Sequence, residues 1–292
     1  MKNLVLSGCG IRGFYYIGLL KLLEEKNMIK DIENFAGSSV GSIMILMISI
    51  GYKYNELYNI LLDYNLENIL EIDMLNIFKN YSIYGNKKIK NILNIFIKKK
   101  CNMINPTFND LYKLTKKTIN ILTVNIKTGQ HEIFNKEISG EINVCDAICA
   151  SCAIPLLLPC ININNNLYID GGILYNYPCF VFKDDLRNTI GMKVDTIYLK
   201  DDINSLTDYI FNLFGLMIKH LDNNNMEPYI NINISGLDCG LDCGLECLNF
   251  KINKYTKKKL INKGYEESKK IIDQKIIDQK IIDQKKIDQK IK

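Results

Sequence analysis

Twice within its first fifty residues the chain passes from a short apolar run through a glycine turn into an apolar helix, and few folds accept that pattern. Leu4-Val5-Leu6 leads into Ser7-Gly8-Cys9-Gly10-Ile11-Arg12-Gly13. A helical stretch follows in which Tyr16, Leu19, Leu20 and Leu23 recur at three- and four-residue steps, with Lys21, Glu24, Glu25 and Lys26 on the other face. Asn34-Phe35-Ala36 then enters Gly37-Ser38-Ser39-Val40-Gly41 and a second apolar helix, Ser42 to Ile50. Continuous apolar runs suit strands buried on both faces, and strand, turn and helix in repetition predict an α/β fold with a mostly parallel central sheet flanked by helices.

The remaining chain reads less sharply. Residues 54–117 are helix-like and polar, with no strong strand. A strand is expected at Ile119 to Ile126, joined through Thr128-Gly129 to a hairpin partner at His131 to Phe134. Val144 to Cys152 reads as a short helix, and Leu167-Tyr168-Ile169 as a strand ending at Asp170. Val194 to Leu199 reads as a strand, Leu206 to Leu221 as an amphipathic helix, and Lys254 to Lys270 as the closing helix. Residues 1–270 are therefore expected to form one domain. Residues 271–292 repeat IIDQK with a period of five, which carries the isoleucines round every face of a helix and alternates faces in a strand. That tail is expected to be disordered or a frayed helix, since it cannot build a core alone.

Composition narrows the class. Of 292 residues 47% are hydrophobic, too many for a disordered chain, and the net charge of +5 is too small for a dedicated nucleic-acid binder. No apolar run approaches the roughly 20 residues of a membrane span, and the N-terminus lacks the pattern of a secretory signal. The expectation is an intracellular protein, cytoplasmic or peripherally attached to membrane, with its 10 cysteines reduced. Cys239, Cys243 and Cys247 belong to a four-residue repeat whose spacing is unlike a zinc site, so no metal and no cofactor are expected.

Three elements carry chemistry. Gly8 to Gly13 fits G-x-G-x-x-G after a strand, but the second strand ends in Ala36-Gly37-Ser38-Ser39 without the acid that a dinucleotide site places there. Gly37-Ser38-Ser39-Val40-Gly41 fits G-x-S-x-G between strand and helix, the setting of a nucleophile elbow, with Ser39 central; a plain helix cap is the bland alternative. Asp170-Gly171-Gly172 leaves a strand end, where the carboxylate either accepts the serine proton directly or caps a turn. The amides of Gly8, Cys9, Gly10 and Gly13 suit an oxyanion hole, with Arg12 adding charge or bracing the turn against a carboxylate. The two histidines fit less well. His220 lies near the end of an apolar helix, and His131 in the hairpin.

Taken together, LVLSGCGIRG, GLLKLLEE, FAGSSVGSI, ASCAIPLLLP and LYIDGGILYNYP resemble, in order and spacing, the patatin-like phospholipases over roughly residues 4–185. The resemblance implies a three-layer αβα fold and a lipid acyl hydrolase of the phospholipase A type using a Ser39–Asp170 dyad. Gly8, Cys9, Gly10 and Arg12 would form its oxyanion region, and a phospholipid or other acyl lipid would be its substrate. A lipid-binding scaffold of the same fold without turnover is the alternative. The family has three glycines where this chain has Gly8-Cys9-Gly10, and a positive φ at Cys9 would be strained. The basic, apolar segment Lys87 to Lys100 reads either as a surface for anionic membrane or as a packed helix with solvated lysines.

Overall fold

A computed structural model describes residues 1–69, 77, 79–195, 202–204, 209, 212–213, 216, 226–234 and 252–291. Most of the expected helix at 206–221, including His220, the cysteine repeat at 239–247 and most of the strand expected at 194–199 lie outside the described residues. Among those described, eight strands form one sheet: β1 (Asn3–Leu6), β2 (Asn34–Ser38), β3 (Thr118–Asn125), β4 (Gln130–Phe134), β5 (Ile161–Ile163), β6 (Asn166–Asp170), β7 (Thr189–Val194) and β8 (Ile230–Ile234). β3, β2, β1, β7 and β8 run parallel in that order, while β4, β5 and β6 join antiparallel at the β3 side. The sheet is thus mostly parallel, as the repeated strand–turn–helix pattern predicts.

The helices among the described residues are α1 (Phe14–Glu25), α2 (Val40–Ser49), α3 (Tyr54–Asp63), α4 (Lys87–Cys101), α5 (Phe108–Thr115), α6 (Lys136–Ser139), α7 (Val144–Ser151) and α8 (Lys254–Ile291). α2 packs on β1 to β3, α7 on β3 and β6, and α8 on α1 and β8. Alternate strand residues serve opposite faces. Leu4, Leu6 and Phe35 join the large core beneath the helices, while Val5 and Ala36 join Tyr177 and Cys179 on the other face. Both faces are buried, which explains why β1 reads as an unbroken apolar run.

Three expectations need correction or extension. The strand placed at Val194 to Leu199 is preceded by β7, which ends at Val194; Gly191 and Lys193 disguise it. β8 extends the sequence reading: its Ile residues alternate with Asn, Asp222 to Asn225 and Pro228 precede it as turn residues, and its short length and polar alternation make it a weak signal beside the apolar runs of β1 and β3. α8 runs through the IIDQK repeats to Ile291 instead of stopping near Lys270. Its first half is anchored. Gly18 of α1 and Gly264 of α8 face each other's backbones so closely that a Cβ on either would strike main-chain atoms, and Ile272 is fully buried. Further along, Ile277, Ile281 and Ile282 are exposed, as a five-residue repeat on a helix requires.

Candidate active site

The sheet register brings two strand ends together. β4 pairs with β3 over Ile121 to Asn125 and therefore fills one edge of that strand. β2 takes the other edge as far as Ser38 opposite Leu122, and β6 takes the same edge from Asp170 opposite Thr123. β2 and β6 point at one another and stop opposite consecutive residues of β3. Ser39 is the next residue after β2, so Ser39 and Asp170 meet at the joint.

α7 holds that joint closed. Ser39 N–H donates to Ser151 Oγ at 2.9 Å, and Ser151 Oγ donates to the Leu122 carbonyl at 2.6 Å. Just beyond the helix, the Ala153 carbonyl accepts the Asp170 N–H at 3.0 Å. The elbow itself is tight. Ser39 has φ 51° and ψ −128°, a conformation side-chain-bearing residues rarely adopt and one that stores strain where it occurs. A Cβ at Gly37 would stand 2.7 Å from the Gly41 backbone, and one at Gly41 would strike the carbonyls of Leu6 and Ser7. Both glycines of the motif are therefore demanded by close backbone approach.

The glycine turn lies over the elbow. A Cβ at Gly8 would come within 3.0 Å of Ser39 Cβ, and one at Gly13 within 2.9 Å of Val40. Positive φ falls on Gly10 (54°), whereas Cys9 has φ −157°. The departure from three glycines therefore carries no backbone strain, and Cys9 Sγ is buried, donating to Tyr16 Oη at 3.3 Å. The Gly8 N–H is already engaged by the Asn176 carbonyl at 3.2 Å. Arg12 is buried and donates from Nη1 to the Asp195 carbonyl at 2.5 Å, which braces the turn against a main-chain oxygen at the end of β7.

Asp170 is buried. Burial pushes its pKa up to about 6, against the opposing pull of the Ser39 hydroxyl and the Gly172 N–H. Gly172 N–H donates to Oδ1 at 2.7 Å, while Oδ2 is buried with no hydrogen-bond partner. The serine hydroxyl is thus near enough to influence the carboxylate but does not reach hydrogen-bond geometry, a looseness common in sites without substrate. Gly171 lies against the Leu122 carbonyl, 2.6 Å from where a Cβ would be. Ser38 Oγ is buried, also without a partner.

Three neighbours were not legible as site residues. Asn176 donates from Nδ2 to the Gly8 carbonyl at 2.9 Å, and its Oδ1 lies where a Cβ at Gly172 would be crowded, so one side chain ties the glycine turn to the Asp-Gly-Gly turn. Ser151 and Cys152 are the others. Burial, and then the charge of Asp170, hold the Cys152 thiol well above its usual pKa and keep it neutral. Both lie in ASCAIPLLLP, one of the segments that carry the family resemblance, but neither residue type there announces a role at the joint. His131 packs its ring on Phe180 (4.9 Å) and Tyr175 (5.9 Å) from β4, across β3 from the joint.

Ser39 is only 9% exposed, so access to it runs through a cavity of about 200 Å³. Ser39, Gly10 and Cys152 share its wall with apolar residues of α1 to α4, among them Phe14, Met47, Leu61 and Phe96. The lining is mostly apolar, with the size and character to hold a hydrocarbon chain. Among the described residues, no helix is long and apolar enough to cross a membrane.

The chain is 29% identical over 225 residues to the uncharacterized protein R571 of Acanthamoeba polyphaga mimivirus, covering 73% of this chain and 74% of that protein. It is 32% identical over 182 residues to the probable lipid hydrolase 463L of Invertebrate iridescent virus 6, covering 61% of each. With triacylglycerol lipase 4 of Saccharomyces cerevisiae it shares 31% identity over 53% of this chain but only 18% of the lipase. In fold it is similar to VipD from Legionella pneumophila, with a TM-score of 0.67 at 14% identity over 94% of this chain and 67% of VipD. The model of the patatin-like phospholipase family matches residues 4–183, which hold the first glycine turn, the elbow and the Asp-Gly-Gly turn. The chain belongs to the patatin-like phospholipase family.

Proposed function

We propose that the protein is a serine lipid acyl hydrolase in which Ser39 is the nucleophile and Asp170 its proton acceptor. The observation that carries this reading is the strand joint: a strained serine and a buried, half-satisfied carboxylate meet beside an apolar cavity. Family membership and the lipid hydrolase and lipase relatives support hydrolysis of a lipid ester.

In the proposed cycle the acyl chain lies in the cavity and its ester carbonyl reaches Ser39. Asp170 Oδ2 takes the hydroxyl proton as Oγ bonds to the carbonyl carbon. With the Gly8 N–H engaged by Asn176, the oxyanion falls to amides farther along the turn, of which Gly10, Ile11 and Gly13 share the cavity wall with Ser39. Each such donor contributes about 3 kcal/mol to the transition state. Asp170 returns its proton to the departing alcohol, then takes one from the water that releases the fatty acid. At neutral pH a carboxylate of pKa about 6 is ionised and still basic enough for both steps.

The test is fluorophosphonate labelling with mass mapping, together with release of fatty acid from phospholipid and triacylglycerol. Label on Ser39 and loss of turnover in Ser39→Ala are expected. Full turnover in Ser39→Ala would overturn the assignment, and absence of turnover in the wild type would favour a non-hydrolytic lipid-binding role.

A further inference from the structure

Features that the proposed chemistry leaves unused gather at one side of the cavity. Two loops pair there: the Ile83 and Tyr84 amides donate to the Leu156 and Leu157 carbonyls, both at 2.9 Å, and Ser82 bridges to Leu156. Ile154 and Leu158, flanking Leu156, line the cavity. The other loop runs into α4, whose inner face supplies Ile89, Ile92, Leu93 and Phe96 to the same wall.

The outer side of this loop pair is built unlike an ordinary protein surface. Tyr81 is 76% exposed and Leu156 47%. Both have positive φ, 55° and 66°, in a region bulky residues rarely occupy. The pairing thus holds two large apolar side chains out in solvent at a cost in backbone strain, which is a signature of function more than of packing. On the exposed face of α4, Ile95 is 66% exposed and lies between the exposed Lys87 and the exposed Lys98 and Lys99. From Met74 to Asn109 the chain carries lysines at 79, 87, 88, 90, 98, 99 and 100 and not one Asp or Glu. Lys90 and Lys100 are neutralised by Asp146 and Glu56, at 2.6 and 2.7 Å, leaving the outer face of the helix cationic.

We propose that Tyr81, Leu156 and the lysine-bearing outer face of α4 form a docking surface for an anionic phospholipid bilayer. The apolar side chains insert at the interface while the lysines meet the headgroups. The proposal rests on the lipid hydrolase reading for its purpose: an acyl chain passes from bilayer to cavity without crossing water when the cavity wall itself sits on the membrane. A protein partner is disfavoured, because the apolar groups stand on separate elements among the exposed Lys87, Lys98 and Lys99.

The chain has no tryptophan, so Tyr81→Trp installs a single reporter. Its emission is expected to shift blue on phosphatidylcholine vesicles containing phosphatidylserine and far less without it, while Ile138→Trp, also exposed, stays unshifted. Tyr81→Asn with Leu156→Asn keeps the backbone conformation, since asparagine tolerates positive φ, and should weaken vesicle binding at least roughly tenfold. Lys87→Glu, Lys98→Glu and Lys99→Glu together should weaken it on the order of a hundredfold and remove its salt dependence. Turnover of a water-soluble short-chain ester should be unchanged in all these variants, which also reports their folding. Wild-type binding indifferent to phosphatidylserine, equal shifts at positions 81 and 138, or variants that bind like wild type would each overturn the surface. A protein that binds through these residues but cleaves no ester keeps the surface and sinks the hydrolase reading instead.

Discussion

At the scale of single residues, Asp170 carries two opposed demands. Its pKa of about 6 lies above the roughly 3.9 of an unfolded aspartate, so between those values the folded chain binds more protons than the unfolded one. Stability therefore falls as pH rises through that window, and above it the ionised carboxylate costs the fold roughly 3 kcal/mol. Asp170→Asn should melt higher than wild type at pH 7.5 and about equal to it at pH 4, by calorimetry, while turnover is lost. In the wild type kcat/KM should fall on acidification with a midpoint near pH 6; a flat acid limb would exclude Asp170 as the base. Asn176→Ala leaves the Gly8 carbonyl unpaired in a buried place, which should cost about 1–3 kcal/mol in urea unfolding. Because the glycine turn then loosens, kcat should drop more than KM changes. Ser39, Asp170 and the two turns were readable because their types and spacing carry chemistry on their own. Asn176 and Ser151 were not, since each acts through a partner more than a hundred residues away.

The same division holds between elements. β1, α1, β2 and α2 were legible because periodicity and glycine punctuation are local properties. The joining of β2 to β6 along one edge of β3 depends on register, which no local pattern specifies. Nor does propensity reveal the crossing of α1 and α8. From helix propensity alone, Gly18→Ala should gain about 1 kcal/mol. The Cβ would instead strike Ile261 and Tyr265 main-chain atoms, so a loss of about 1–3 kcal/mol is expected from denaturation curves. A gain would exclude so close a crossing of the two helices.

Taken whole, the molecule closes on its last helix. Lys257 is buried and donates to the carbonyls of Leu61, Leu62 and Tyr64 at 3.0, 3.2 and 2.7 Å, sealing the end of α3 behind the cavity. Asp273 pairs with Lys26 at 2.5 Å, and beyond it the repeats add exposed isoleucines. Deleting 284–292 should leave the melting curve unshifted, while deleting 254–292 should abolish cooperative folding by circular dichroism. The repeat's inability to make a core was visible in its period; that its first turns would still be anchored was not, because the anchor lies on α1.

Because the serine and the carboxylate stand on strands that share no ladder, the sheet sets their separation through β3, on which both strands pair. One residue inserted between Leu122 and Thr123 and taken up as a bulge, so that the side chains beyond it keep their faces, would slide the two groups apart by up to one strand step, roughly 3.4 Å. Such a variant would be a folded protein with its reaction switched off by a unit of length.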